Sequence, residues 1–183
     1  WRHGANSGGD FELWLKKNAP EMLDLRGRVN QLPHNYTCPQ AVRTKLPEEY
    51  YSTSYIANQA SKWIANRKYN KKPFFLMVSF PDPHHPFTPP GKYWDMYKPE
   101  EMPIPIAYEV NDWDPPEYIK IAERERSLDK TLGERAGYSV AVSKQESLEA
   151  RALTCGMISM IDDAVGQIRQ AVVDANVGQN TVQ

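Results

Sequence analysis

Eleven of the fifteen prolines fall between residues 73 and 116, and two of them, Pro73 and Pro81, bracket the apolar run FFLMVSF at 74–80. No other feature of the chain restricts its folding as much. Each proline fixes its own φ and lacks a donor N–H, so FPDPHHPFTPP at 80–90 can be neither helix nor inner strand. It reads as a stiff, extended loop that holds His84 and His85. The run before it is short, continuous and bounded, which favours a strand buried on both faces. Residues 50–67 read as a helix, with Ser52 or Thr53 as cap and Ile56, Ala60, Trp63, Ile64 and Arg67 on one face. Helix followed by buried strand is half of an α/β unit.

The strongest helical pattern comes last. Leu153, Met157, Met160, Ile161, Ala164, Val165, Ile168 and Val172 recur at three- to four-residue spacing, and Asn176-Val177-Gly178 supplies a stop. Residues 179–183 then read as the start of another strand. Near the N-terminus, residues 1–9 read as an irregular, glycine-rich stretch. Asp10 can cap a short helix through FELWLKKN, Glu21 to Arg26 suggest a second, and 27–48 reads as loop. The proline-rich stretch 81–116 is long for a compact domain, and loops of that length are commonly functional. Its Trp94, Tyr97, Met102, Ile104 and Ile106 suggest that it packs against a surface. Residues 117–145 are charged and read as surface helix and loop.

A length of 183 residues allows one domain with a core. A net charge of -1 gives no electrostatic case for nucleic acid or an acidic membrane. No apolar run approaches the roughly 20 residues of a membrane span. The chain opens on Trp1 without a signal-peptide pattern and reads as a piece of a longer protein. Cys38 and Cys155 read as two free, buried thiols. Asn35-Tyr36-Thr37 fits the glycosylation sequon, which carries weight only in a secreted eukaryotic protein.

Among candidate chemical groups, His84 and His85 stand out. Neighbours in extended chain point to opposite sides, so one is expected to face a site and the other to pack or be solvated. A histidine beyond the carboxyl end of a strand can donate to an anionic oxygen or move a proton near neutral pH. Asp82 lies two residues earlier and would either orient the imidazole or bond within its own turn. Asp162 and Asp163 are adjacent on a helix, about 100° apart, and a shared metal is not expected. There is no Cys-x-x-Cys, glycine-rich phosphate loop, HExxH or G-x-S-x-G, and the sequence alone supplies no nucleophile in a recognisable setting.

PFFLMVSFPDPHHPFTPPGKYWDMY, followed later by GMISMIDDAVGQI, resembles the type I sulfatases of the alkaline phosphatase superfamily. In that family a PFFL-x-V strand runs into an H-x-P loop, here His84-His85-Pro86. A P-x-P follows, here Pro103-Ile104-Pro105. A long helix of the form Y-x-G-x-I-x-x-x-D-x-x-V-G comes next, here with Thr154 and Cys155 where tyrosines are usual. A strand ending N-T-V closes the set, here VGQNTV at 177–182. The likeness covers roughly residues 45–183.

The resemblance implies an α/β fold, a mostly parallel sheet with helices on both faces. It implies that residues 1–183 are an incomplete piece of one catalytic domain. The reaction it implies is hydrolysis of a small-molecule or glycan sulfate ester by a formylglycine nucleophile and a divalent metal, expected to be calcium. His84 would bind or protonate the sulfate group, with His85 turned away. Trp94 and Tyr97 would help wall the substrate pocket or serve as buried anchors. The departures are large. Cys38, in TCPQAVR, has proline at +1 and arginine at +5, which is not C-x-P-S-R. The K-x-H pattern and the aspartate pairs that hold the metal are missing, so the piece is expected to be inactive alone and to bind no calcium. Two alternatives stay open: a phosphonate monoester hydrolase or phosphodiesterase of the same superfamily, and a non-catalytic domain. The particular ester, the oligomeric state and the compartment (bacterial cytoplasm or periplasm) stay undefined.

Overall fold

A computed structural model describes residues 9–69, 72–109, 114–128 and 142–182. The readings for residues 1–8 and for 129–141 lie outside these. Among the described residues four α-helices carry the architecture: α1 (Asp10–Asn18), α2 (Ser52–Ala65), α3 (Glu117–Leu128) and α4 (Lys144–Asp174). Short 3₁₀ turns punctuate the connections, among them Pro20–Leu25, Glu48–Tyr50, Gly91–Tyr93, Pro99–Glu101 and Gly178–Asn180.

The expected mostly parallel sheet is not found among the described residues. Among the described residues there is no strand, and β pairing is limited to an isolated parallel bridge between Ala41 and Phe87. Residues 74–80 do run without helix or turn, and their burial alternates. Phe74, Leu76, Val78 and Phe80 are half-buried, while Phe75 and Met77 are 90% and 76% exposed. A strand is defined by a hydrogen-bonded neighbour, and no described segment pairs with this one. The segment therefore covers one side only, against Trp63, Ile64, Ile168 and Val172. A continuous apolar run signals that a segment is apolar on both sides, but not that both sides are covered. The strand expected at 179–183 is likewise replaced by the 3₁₀ turn at 178–180.

Packing is organised by α4, with α2 laid against it. This helix of 31 residues begins well before its apolar stripe. Ser143 accepts from the Glu146 amide, and Glu146 accepts from the Ser143 amide at 2.6 Å, a reciprocal cap legible as Ser-x-x-Glu. At the other end Asn176 is left-handed (φ 56°). Its amide donates to Val173 and that of Val177 to Val172, so the last carbonyls are satisfied. Leu153, Met157, Met160, Ala164 and Val172 are buried as expected, while Val165 lies at the edge of the buried face, 41% exposed. On α2, Thr53, Ala57, Ala60 and Ile64 form the buried face.

Three apolar clusters line α4 in succession. Cys38, Ala41, Trp94 and Leu153 gather near its start, Leu46, Tyr51, Tyr93 and Met160 at its middle, and Ile64, Val172 and Ala175 at its end. The proline-rich segment thus does pack on α4 through Tyr93 and Trp94, although Ile106 stays exposed. Glu149, 3% exposed, receives the amides of Thr37 and Cys38 at 2.8 and 2.7 Å and ties the 37–41 segment to the helix. Cys38 and Cys155 are both free thiols, the first buried and the second half-buried.

Candidate functional site

The prolines at 81, 83 and 86 keep residues 81–86 out of any ladder, and the chain turns there instead of running extended. The His84 amide donates to the Pro81 carbonyl at 3.1 Å, closing the turn. His84 is exposed and His85 half-buried. Their rings do not diverge as extended geometry predicts. The centroids lie 4.2 Å apart with 33° between the planes, because a bend places successive side chains on one side.

The His84 ring nitrogen Nδ1 sits 2.6 Å from the His85 carbonyl oxygen. A carbonyl only accepts, so Nδ1 carries hydrogen. In the neutral ring the lone pair is then on Nε2, which is where a proton is gained or lost.

The turn is held from beneath. Asp82, 7% exposed, accepts from the Thr53 hydroxyl and from the Tyr51 hydroxyl, the latter at 3.3 Å. Tyr51 also lies 2.6 Å from the Thr88 hydroxyl. Burial, and then the charge of Asp82, push the Tyr51 phenol well above its ordinary pKa, so it remains a hydroxyl. Beyond the turn, the Phe87 amide donates to Gln40 at 2.8 Å and its carbonyl accepts from Val42 at 3.0 Å. Tyr51, Thr53 and Thr88 carry no motif of their own, and their role around the histidine turn was not visible in the sequence.

Trp94 is 4% exposed. It stacks on Tyr36 at 5.3 Å, meets His34 at 5.3 Å and lies under Arg43 at 5.8 Å. Tyr97 is half-buried, with its hydroxyl 2.8 Å from Ser159 of α4. Among the described histidines, His34 is the one that sequence reasoning passed over. Burial, then Arg28 and Arg43, depress its pKa, and Gln31 lies 3.0 Å from its Nε2. Asp163 accepts from Tyr93 at 2.7 Å and from Lys92 at 3.3 Å, which accounts for that carboxylate without a metal.

The sulfatase family model matches residues 4–182. The chain belongs to the sulfatase family. Among curated proteins it is 28% identical over 180 residues to a multifunctional alkaline phosphatase superfamily protein, PehA, of Trinickia caryophylli, which covers 90% of this chain and 34% of that protein. It is 30% identical over 135 residues to an arylsulfatase of Clostridium perfringens, covering 74% of this chain and 25% of that one. It is 27% identical over 161 residues to human iduronate 2-sulfatase, covering 86% and 28%. The chain thus spans about a third or less of the length of these relatives.

As a sulfatase-family chain, it brings the H-x-P histidine, His84, to the surface on a braced turn. The donor set for the divalent metal that the resemblance implies is a different matter. Among the described residues, no three His, Cys, Asp or Glu side chains gather closely enough to hold a metal ion. The described residues therefore form no donor set for that ion. No described helix is long and apolar enough to cross a membrane.

Proposed function

We propose that the protein containing this sulfatase-family chain hydrolyses sulfate esters, and that His84 acts on the sulfate group. The observation that carries the reading is the His84 ring: exposed, on a turn braced by buried hydrogen bonds, with Nδ1–H committed to the His85 carbonyl. As imidazolium, His84 presents Nε2–H as a charge-assisted donor to a sulfate or leaving-group oxygen. When the S–O bond breaks, that proton can pass to the departing oxygen, leaving neutral His84 with its lone pair on Nε2. The formylglycine nucleophile and the divalent cation, calcium in this reading, belong to polypeptide outside these 183 residues. The substrate is a small-molecule or glycan sulfate ester.

The test is hydrolysis of p-nitrophenyl sulfate by the whole protein and by two variants. His84→Ala is expected to lower kcat by about 10²–10⁴, and His85→Ala by only a few-fold. Equal losses would sink the assignment. A second reading has one specific support, the likeness to a protein named multifunctional within the alkaline phosphatase superfamily. Under it the same turn serves phosphonate monoesters or phosphodiesters. A phosphonate monoester assayed beside the sulfate ester separates the two by the ratio of kcat/KM values.

A further inference from the structure

A single hydroxyl ties together the two ends of the histidine turn. Tyr51, 7% exposed, directs it to Asp82 on the near side of His84 and to Thr88 on the far side. The hydroxyl has one proton and the Asp82 carboxylate only accepts, so Tyr51 donates to Asp82 and Thr88 donates to Tyr51. Thr53 donates to the other Asp82 oxygen. Both tyrosine and threonine come from the start of α2, where Tyr51 is the residue before the first helical turn. The Tyr51 ring is itself seated among Leu46, Tyr93 and Met160 of the core. A polar chain therefore runs from half-buried Thr88 through buried Tyr51 and Asp82 to buried Thr53, bridging the base of the segment that carries His84. The backbone bonds of Phe87 to Gln40 and Val42 secure the far end only.

We propose that Tyr51 is a positioning residue for His84, its hydroxyl clamping residues 82 and 88 so that the imidazole is presented in one orientation. The proposal rests on the reading of His84 as the group that acts on the ester. Tyr51 is buried and serves through the loop, not by contact with substrate. A chemical step is sensitive to small displacements of the group that moves the proton, so losing one clamp bond should appear in kcat.

The experiment is a double-mutant cycle in the whole protein with p-nitrophenyl sulfate as the probe: wild type, Tyr51→Phe, His84→Ala and the double variant. Phenylalanine keeps the buried ring and removes only the hydroxyl. With His84 present, Tyr51→Phe should lower kcat about five- to tenfold, the size of one hydrogen bond, with KM changed less than about twofold. In the His84→Ala background the same change should cost less than about twofold, because the two residues act through one path. An equal loss in both backgrounds means a general structural role and overturns the proposal, as does no loss with His84 present. If His84→Ala matches wild type, the reading of His84 falls first and the clamp with it, a result distinct from an additive cycle. Should Tyr51→Phe fail to fold, Thr88→Val breaks the same bridge from the other end and is held to the same two criteria.

Discussion

Gly156 of α4 lies against the backbone of Tyr93 so closely that a Cβ built on it would stand 2.2 Å from the Tyr93 carbonyl oxygen. This contact lets the proline-rich segment rest directly on the helix and places Tyr93 and Trp94 in the core. The obstacle is main chain, which cannot swing aside as a side chain could.

Gly156→Ala should therefore destabilise the protein by about 1–3 kcal/mol, the usual range for overpacking. Gly166, one stretch further along the same helix, has nothing within 4 Å of its Cβ position. Gly166→Ala should stabilise by up to about 1 kcal/mol through helix propensity alone. Urea unfolding midpoints of the two variants should move in opposite directions.

Asn176 makes the second local prediction. Its φ of 56° is a conformation that asparagine tolerates and β-branched residues resist. Asn176→Gly should be neutral or slightly stabilising, whereas Asn176→Val should cost about 1–2 kcal/mol. Thermal melts followed by helical circular dichroism would show the difference.

A pH dependence follows from Glu146. Burial pushes its carboxyl up, but the bonds from Arg126 and Ser143 more than offset this and hold it below its ordinary value of 4.5. A group whose pKa is lowered on folding contributes stability that is full above its unfolded value. That contribution is lost as pH falls through the folded value. Glu146→Gln keeps the capping geometry and removes the charge. Wild type should thus lose more stability than Glu146→Gln between pH 5 and acid, in the window below about 4.5. Denaturant titrations at stepped pH measure this, and parallel curves would refute it.

The two thiols should differ in reactivity. Cys38 is buried, and burial raises its pKa, so little thiolate is present at neutral pH. Cys155 is half-buried. Ellman's reagent should label Cys155 first and Cys38 only on unfolding, and Cys155→Ser should abolish the early phase.

Signals in the chain are legible where the physics is local. The α4 stripe, its stop at Asn176 and the helix over 50–67 depend on spacing and on the φ preferences of a few residues. The cap at Ser143 and Glu146 is equally local, a Ser-x-x-Glu pattern whose serine lies within the charged stretch 117–145 that reads as surface helix and loop. Asp82 is the intermediate case. Its burial is not readable from one position, and its partners Tyr51 and Thr53 lie some thirty residues away on a different element.

By itself the sequence determined which residues could not join regular structure, and so placed His84 and His85 in a proline-bound loop next to an apolar segment. It also carried the motif set that marks the sulfatase family. Tertiary structure decided the rest. It set both imidazoles side by side, because a bend and not an extended chain joins them. It buried Trp94 among Tyr36, His34 and Leu153, and it left Phe75 and Met77 uncovered. The physical reason is one of range. Dihedral limits and hydrogen-bond donors belong to a residue and its neighbours, whereas burial and pairing belong to whatever distant part of the chain arrives to supply the other side.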